Sequence, residues 1–297
     1  MNFDLPIDLA RLRNSRLALV PVETVLDSFA AALVANTADS PGSPSAAAVW
    51  SYLPYGPFEH PSDWIAWYTQ TIQPARNATI FAIVILPGAD NSSSSTQEHG
   101  GSGAGSGASS STNITDSVET PPVLFAGTTG LLNTVATHAA TELGHVLIFP
   151  RFQHSWVQST ANALLLRHLL DPAPLDLGLR RVQWQCNVAN SASRGAATKL
   201  GFAFEGVCRW QRAMEVGWEE KGVGRVGAHQ IDGRQRGDEE VPKTVRVVSA
   251  NSSDGRRVEE VNVGLGRHSA VYSMCWDDWV VGKREHVLGL LARSEAR

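Results

Sequence analysis

Four titratable side chains fall close together in the middle of the chain: His138, Glu142, His145 and His154. Imidazoles and carboxylates are common zinc ligands and common proton acceptors. Their spacing matches no His-Glu-x-x-His pattern, and side chains on a strand point alternately to its two faces, so the four would diverge. A metal is not expected. A serine nucleophile is not expected either, because no serine stands in Gly-x-Ser-x-Gly. Gly222-Val-Gly-Arg-Val-Gly227 has the glycine spacing of a dinucleotide loop. That loop needs a strand before it and a helix after it, and the flanks here are polar and broken. The glycines from Gly101 to Gly107 read as linker. One chemistry stays open on residue types alone. The polar turn Arg151-Phe-Gln-His-Ser155 runs into a helical stretch beginning at Trp156, and the unbonded amides of a helix start hold phosphate readily.

The elements that position this turn extend from Glu142 to Gly206. Glu142-Leu-Gly-His-Val-Leu-Ile-Phe149 is strand-like and closed by Pro150. From Trp156 to Leu170, Val157, Ala161, Leu164, Leu165 and Leu169 recur at helical spacing. A second strand follows from Leu179 to Val188, then Asn190-Ser-Ala-Ser193 and a short helix ending near Leu200. Strand, helix, strand, helix with short links is a right-handed crossover, which makes the two strands parallel.

The other segments fit around that unit. Arg16 to Val20 reads as a first strand, and Val22 to Ala35 as a helix with Val25, Leu26, Phe29, Leu33 and Val34 on one face. Trp50 to Phe58 is aromatic and Pro-rich, too broken for a regular element; Tyr52 and Tyr55 fit a substrate wall as well as they fit a core. Ser62 or Asp63 is expected to cap a helix whose Trp64 and Trp67 pack into the core. Ile80 to Leu86 and Val123 to Leu132 are buried strands. Between them, residues 88–121 are Ser/Gly-rich and carry too little apolar surface to offset ordering entropy, as expected of an insertion. A second insertion, 217–266, mixes both charges with many glycines, and Thr244 to Val248 reads as an isolated strand within it. Ala270 to Trp276 is a final strand, and Asp277 or Asp278 leads into a C-terminal helix. With the insertions set aside, residues 1–297 make one mixed α/β domain.

Composition bounds the function. The 297 residues are 43% hydrophobic and 18% charged, ordinary for a soluble globular protein. The net charge of −4 speaks against a nucleic-acid surface. No apolar run reaches membrane-spanning length, and no basic-then-apolar leader opens the chain, so a soluble, cytoplasmic protein is expected. Cys186, Cys208 and Cys275 lie far apart in strand-like runs and are expected to be buried reduced thiols. Low-complexity insertions in a compact fold suggest a eukaryotic microbe such as a fungus.

The segment Asn190-Ser-Ala-Ser193-Arg-Gly-Ala-Ala-Thr-Lys-Leu200-Gly-Phe-Ala-Phe-Glu-Gly206-Val-Cys-Arg209 resembles Asn-x-x-Ser … Leu-Gly-Phe-x-x-Glu-Gly-x-x-Arg of the GNAT acyltransferases, in their RimJ/RimL-like branch. Glu142-x-Gly-His145 … Pro150-x-x-Gln153 stands where that branch has its fourth strand and coenzyme A loop. The resemblance is sharp from Glu142 to Arg209 and diffuse before it. It implies an α/β (α+β) fold whose mixed, mostly antiparallel sheet of about seven strands is flanked by helices and splayed between strands 4 and 5.

It also implies acetyl-CoA as cosubstrate, without a metal. The acceptor would be a primary amine: an amino acid, a small amine or a protein N-terminus. The pyrophosphate would meet amides of Gln153, His154, Ser155, Trp156, Val157, Gln158 and Ser159, and a strand N–H among Leu147, Ile148 and Phe149 would bond the thioester carbonyl. Glu142 is the first candidate for the base, through water, though it reads equally as a surface carboxylate at a strand start, and His145 is the second. Ser193 could protonate the leaving thiolate or cap a helix, Asn190 could bond the pantetheine arm or shape a turn, and Arg209 would pair on the surface. One departure stands out: the family's two loop glycines are Trp156 and Gln158 here, and an indole could crowd the backbone approach glycine permits. That leaves a non-catalytic or weakly active acyl-CoA-binding module on the same fold as the alternative.

Overall fold

The computed structural model describes residues 2–38, 47–89, 123–213, 244–249, 257–263 and 266–296. Most of the Ser/Gly-rich segment and both glycine runs lie outside the described residues. In chain order the elements are β1 (Leu17–Pro21), α1 (Leu26–Thr37), α2 (Pro61–Thr71), β2 (Thr79–Ile85), β3 (Leu124–Val135), β4 (Ala140–Ile148), α3 (Val157–Leu170), β5 (Arg181–Asn187), α4 (Ser191–Leu200), β6 (Ala203–Ala213), β7 (Thr244–Ser249), β8 (Arg257–Asn262), β9 (Gly266–Cys275), α5 (Trp276–Asp278) and α6 (Arg284–Glu295).

The main sheet runs β1-β2-β3-β4-β5-β9-β6. Every neighbouring pair is antiparallel except β4 and β5, which are parallel because α3 crosses over between them. The mixed seven-stranded sheet and its parallel central pair are the architecture expected from the sequence. The strands around the middle alternate little, since both faces are covered: Ile80, Phe81, Ala82 and Ile83 are all buried. Phe29 of α1, at a residue predicted to face the core, packs against Trp64, Phe125 and Phe149. On the opposite side α3 is buried along almost its whole length. Asp171, at its C-terminus, accepts from Trp279 Nε1 at 3.0 Å and Arg284 Nε at 2.7 Å, tying α6 to the end of α3.

Several expectations need correction. α2 begins at Pro61 with His60 before it, and Asp63, rather than capping forward, reaches back to the His60 amide at 3.1 Å. Trp64 is buried in the core, but Trp67 is only partly buried and stacks on Tyr55, with ring centroids 4.2 Å apart. Thr244–Ser249 is not isolated; it pairs antiparallel with Arg257–Asn262, so the predicted second insertion contains a hairpin. The last strand starts at Gly266 and ends at Cys275, and Trp276 begins a helical turn. Cys208 is exposed rather than buried, on the edge strand β6. Among the described residues, no helix is long and apolar enough to cross a membrane.

Candidate active site

β4 and β5 pair over three positions only, Ala140 with Arg181, Thr141 with Val182 and Glu142 with Gln183. Beyond Glu142 the strands part, β4 continuing to Ile148 and β5 to Asn187 without further pairing. The sheet therefore opens at its centre, where the sequence placed the opening.

A β-bulge shapes the β4 wall. Gly130 faces Gly144 and Thr128 faces Leu147, so β4 has one residue more than β3 over this stretch. His145 lies in the bulge with φ of 50°, and its carbonyl accepts from Thr128 Oγ1 at 2.7 Å. The turn of backbone brings the imidazole to the Tyr55 hydroxyl, 3.2 Å from Nδ1, beside the Trp67 ring. Desolvation there lowers the His145 pKa to about 4, with the Arg212 charge acting in the same direction, so the ring is neutral at neutral pH. The segment carrying Tyr55 also reaches the other lip of the opening, where the Tyr52 hydroxyl lies 3.4 Å from the Ala189 carbonyl after β5. Tyr52 and Tyr55 thus bridge the two parted strands.

Glu142 is 4% exposed, which rules out a surface carboxylate. Asn133 Nδ2 donates to its Oε2 at 2.9 Å and Gln183 Nε2 at 3.4 Å. Asn133 sits at φ of 50°, a backbone position Asn tolerates better than most side chains, where the β3–β4 register shifts. Burial pushes the Glu142 carboxyl above the usual carboxylate range, against the opposing pull of Asn133, Arg212, Gln183 and Arg267.

At the mouth, α3 points its N-terminus toward the end of β4. Val157 N–H donates to Ser155 Oγ at 3.2 Å, and Thr160 N–H to the Trp156 carbonyl. The amides of Gln158 and Ser159 have no acceptor among the described residues, and Gln158 Nε2 is buried without a partner. Orphan first-turn amides with an unpaired donor beside them form an anion cradle, so these residues fit a phosphate-bearing ligand. Trp156 does not fill it. Arg16 lies over its indole, 3.8 Å from the ring centroid, and Arg16 is itself bonded to the Ser294 and Ala89 carbonyls. That holds the indole on the β1 side of α3.

The fold recurs in solved structures. A GNAT-family protein from Chromobacterium violaceum is 21% identical, with a TM-score of 0.55 over 93% of this chain and 91% of that one. A GCN5-related N-acetyltransferase from Brucella melitensis is 16% identical, with a TM-score of 0.56 over 94% and 84%. Mycobacterium smegmatis RimJ, solved in complex with CoA-disulfide, is 12% identical, with a TM-score of 0.52 over 92% and 88%. The chain has the GNAT acetyltransferase fold. No protein-family model and no curated protein matches the sequence.

Within that fold the predicted residues separate. The Phe149 amide donates to the Ala126 carbonyl at 2.9 Å, which makes Gly127 and Ile148 a wide pair whose own polar groups face away from β3. By alternation Leu147 faces β3 as Phe149 does, and both side chains are core. Of the three expected donors, Ile148 alone turns its amide to the open side; its carbonyl there accepts from Gln153 Nε2 at 3.1 Å. Asn190 caps α4, its Oδ1 accepting the Ser193 amide at 2.9 Å. Ser193 is thus not the cap. Its Oγ accepts from Trp184 Nε1 at 3.0 Å, which fixes the hydroxyl oxygen, and its hydroxyl lies within hydrogen-bonding reach of the Cys186 thiol. His154 is exposed with φ of 57°, and Arg209 is exposed with no ion pair among the described residues.

The histidines do not converge. Among the described residues the ligand-type atoms that do are those of Cys275, Asp277 and Asp278, where Asp278 accepts the Cys275 amide as a helix cap. Sequence reading missed Asn133, Gln183, Trp67, Trp184, Arg212 and Arg267. Only Asn133 left a trace, as an Asn interrupting an apolar strand.

Proposed function

We propose that this protein is an N-acetyltransferase that moves an acetyl group from acetyl-CoA to a primary amine by direct attack on the thioester. The observation that carries the reading is the parting of β4 from β5 immediately after Glu142 and Gln183, with the orphan amides of Gln158 and Ser159 at its mouth. Acetyl-CoA supplies an activated acyl carbon and a phosphate-rich handle. The cradle at the start of α3 takes the handle, and the Ile148 amide stabilises charge that builds on the carbonyl oxygen.

An alkyl amine has a pKa near ~10.4, so it must lose a proton before its nitrogen can attack. Glu142 is the base in this reading, its pKa raised by burial, and it acts through water; His145 is the second acceptor, held neutral beside Tyr55. The new C–N bond forms as the C–S bond breaks. Nitrogen sheds one proton to the base before attack and a second as the amide forms; Ser193 passes its hydroxyl proton to the departing sulfur and takes back that second proton. Asn190 keeps its Nδ2 for the pantetheine arm while Oδ1 caps α4. Amino acids, small amines and protein N-termini are the acceptor classes. A cytoplasmic location belongs to the same reading.

A thiol-release assay with acetyl-CoA over a panel of amines tests this. Turnover of at least one amine is expected, with Glu142→Gln slower by about a hundredfold or more. Coenzyme binding with no thiol released from any amine would replace the enzyme with a binding module on the same fold.

A further inference from the structure

The face of the sheet that carries Glu142 also carries two arginines that, among the described residues, are ion-paired to no carboxylate. The β6–β9 ladder sets Arg212 directly opposite Arg267. Like charges facing each other across an antiparallel pair repel, so this arrangement needs a reason. It is built in. Between Cys208 and Arg212 β6 carries extra residues, with Trp210 in the left-handed region at φ of 52°, and it is this bulge that swings Arg212 opposite Arg267. The Trp210 ring fills the space a Cβ on Gly266 would need, at 2.1 Å, so the bulge and the glycine go together.

Arg267 is 6% exposed, and its Nε donates to Ser269 Oγ at 3.1 Å. Among the described residues neither arginine makes an ion pair with a carboxylate. A buried guanidinium without a counter-charge is costly. Burial, and then the Arg212 charge, lower the Arg267 pKa to about 10, still protonated at neutral pH. Both arginines lie within electrostatic reach of Glu142, and Arg212 within reach of His145. Gln185, two residues along β5 from Gln183 and so on the same face, has a buried Oε1 with no hydrogen-bond partner.

We propose that the acceptor amine bears a carboxylate, seated between the guanidinium groups of Arg212 and Arg267, so that the substrate class is the free α-amino acid. Arginine matches a carboxylate with paired N–H donors, and the bound anion removes the repulsion between the two side chains. The amine then lies toward Glu142, with Gln185 Oε1 available to accept one of its hydrogens. Polycationic amines would meet the two arginines with like charge. The inference rests on the acetyl-transfer reading for where the amine sits.

The test is a calorimetric titration of the coenzyme A-loaded protein with free L-amino acids, each beside its carboxamide, and with spermidine. Each acid is expected to bind about tenfold or more tighter than its amide, the size of a lost charged hydrogen bond. In Arg212→Gln, half-exposed and checked for folding by its thermal melt, that preference should collapse to about twofold or less. Equal affinity for acid and amide, or tighter binding of spermidine, overturns the proposal. So does a loss of coenzyme A affinity in Arg212→Gln that disappears with 3′-dephospho-coenzyme A, which would assign the arginines to the coenzyme phosphate. Because binding is read, the two readings fail separately. Preference for acids without thiol release would refute acetyl transfer alone, and equal acetylation of acid and amide would refute the carboxylate seat alone.

Discussion

Glu142 is held where a carboxylate is least comfortable, buried in β4 with Asn133 and Gln183 as its direct donors. A carboxyl whose pKa is raised in the folded chain binds its proton more readily folded than unfolded. Between the two pKa values stability then falls as pH rises, and at neutral pH the charged form is carried at a cost. Glu142→Gln should therefore raise the thermal midpoint at pH 7 while turnover collapses. A lower midpoint together with full turnover would remove Glu142 from the mechanism. Residual activity in the wild type should fall on an acidic limb above the usual carboxylate range, and the variant should lose that limb. His145 acts in the opposite sense. Its folded pKa, about 4, lies below the ordinary 6.5, so the unfolded chain takes up a proton first and stability declines as pH drops from 6.5 toward 4. His145→Gln should flatten that decline in pH-dependent melts. At this scale little was readable beforehand. Glu142 and His145 stood out by type, but Arg212 and Arg267 become neighbours only through a ladder joining distant stretches, and no local pattern announces it.

The elements show why the opening exists. β3 can approach β4 closely at Gly127, where φ is 139° and an added Cβ would meet the Leu147 carbonyl at 2.0 Å. Gly127→Ala should cost about 1–3 kcal/mol in chemical unfolding, and should weaken acetyl-CoA binding in the protein that still folds, because Ile148 opposite must shift. Unchanged affinity would detach the Ile148 amide from the site. The β4–α3–β5–α4 succession was legible from Pro150, the apolar periodicity of α3 and the polar Asn190-Ser-Ala-Ser193 run; that Asn190 rather than Ser193 is the cap was not. The bulge at His145 was not, since it rests on a positive φ at a residue that carries a side chain. Trp156 looked obstructive in the sequence because its partner, Arg16, lies far away along the chain.

At the largest scale, the described residues form a seven-stranded sheet flanked by helices, and a separate β7–β8 hairpin. The order of elements was legible because buried strands and amphipathic helices alternate with clear breaks. Of the β7–β8 hairpin only β7 was legible, since β8 sets Arg257, Glu259 and Glu260 around two valines. β2 and β3 stay paired out to Ile85 opposite Leu124, so the long segment between them joins strand ends that are already adjacent. Replacing residues 90–122 by a short Gly-Ser link should leave stability within about 1 kcal/mol of the parent or slightly above it, since loop closure depends only weakly on length. A chain that no longer folds would make that segment part of the domain. The account's central claim is that a phosphate-tailed thioester seats between the parted strands, and titration calorimetry with acetyl-CoA measures this most directly. One-to-one binding that weakens as salt is raised is predicted; a folded protein giving no heat at millimolar acetyl-CoA would contradict it.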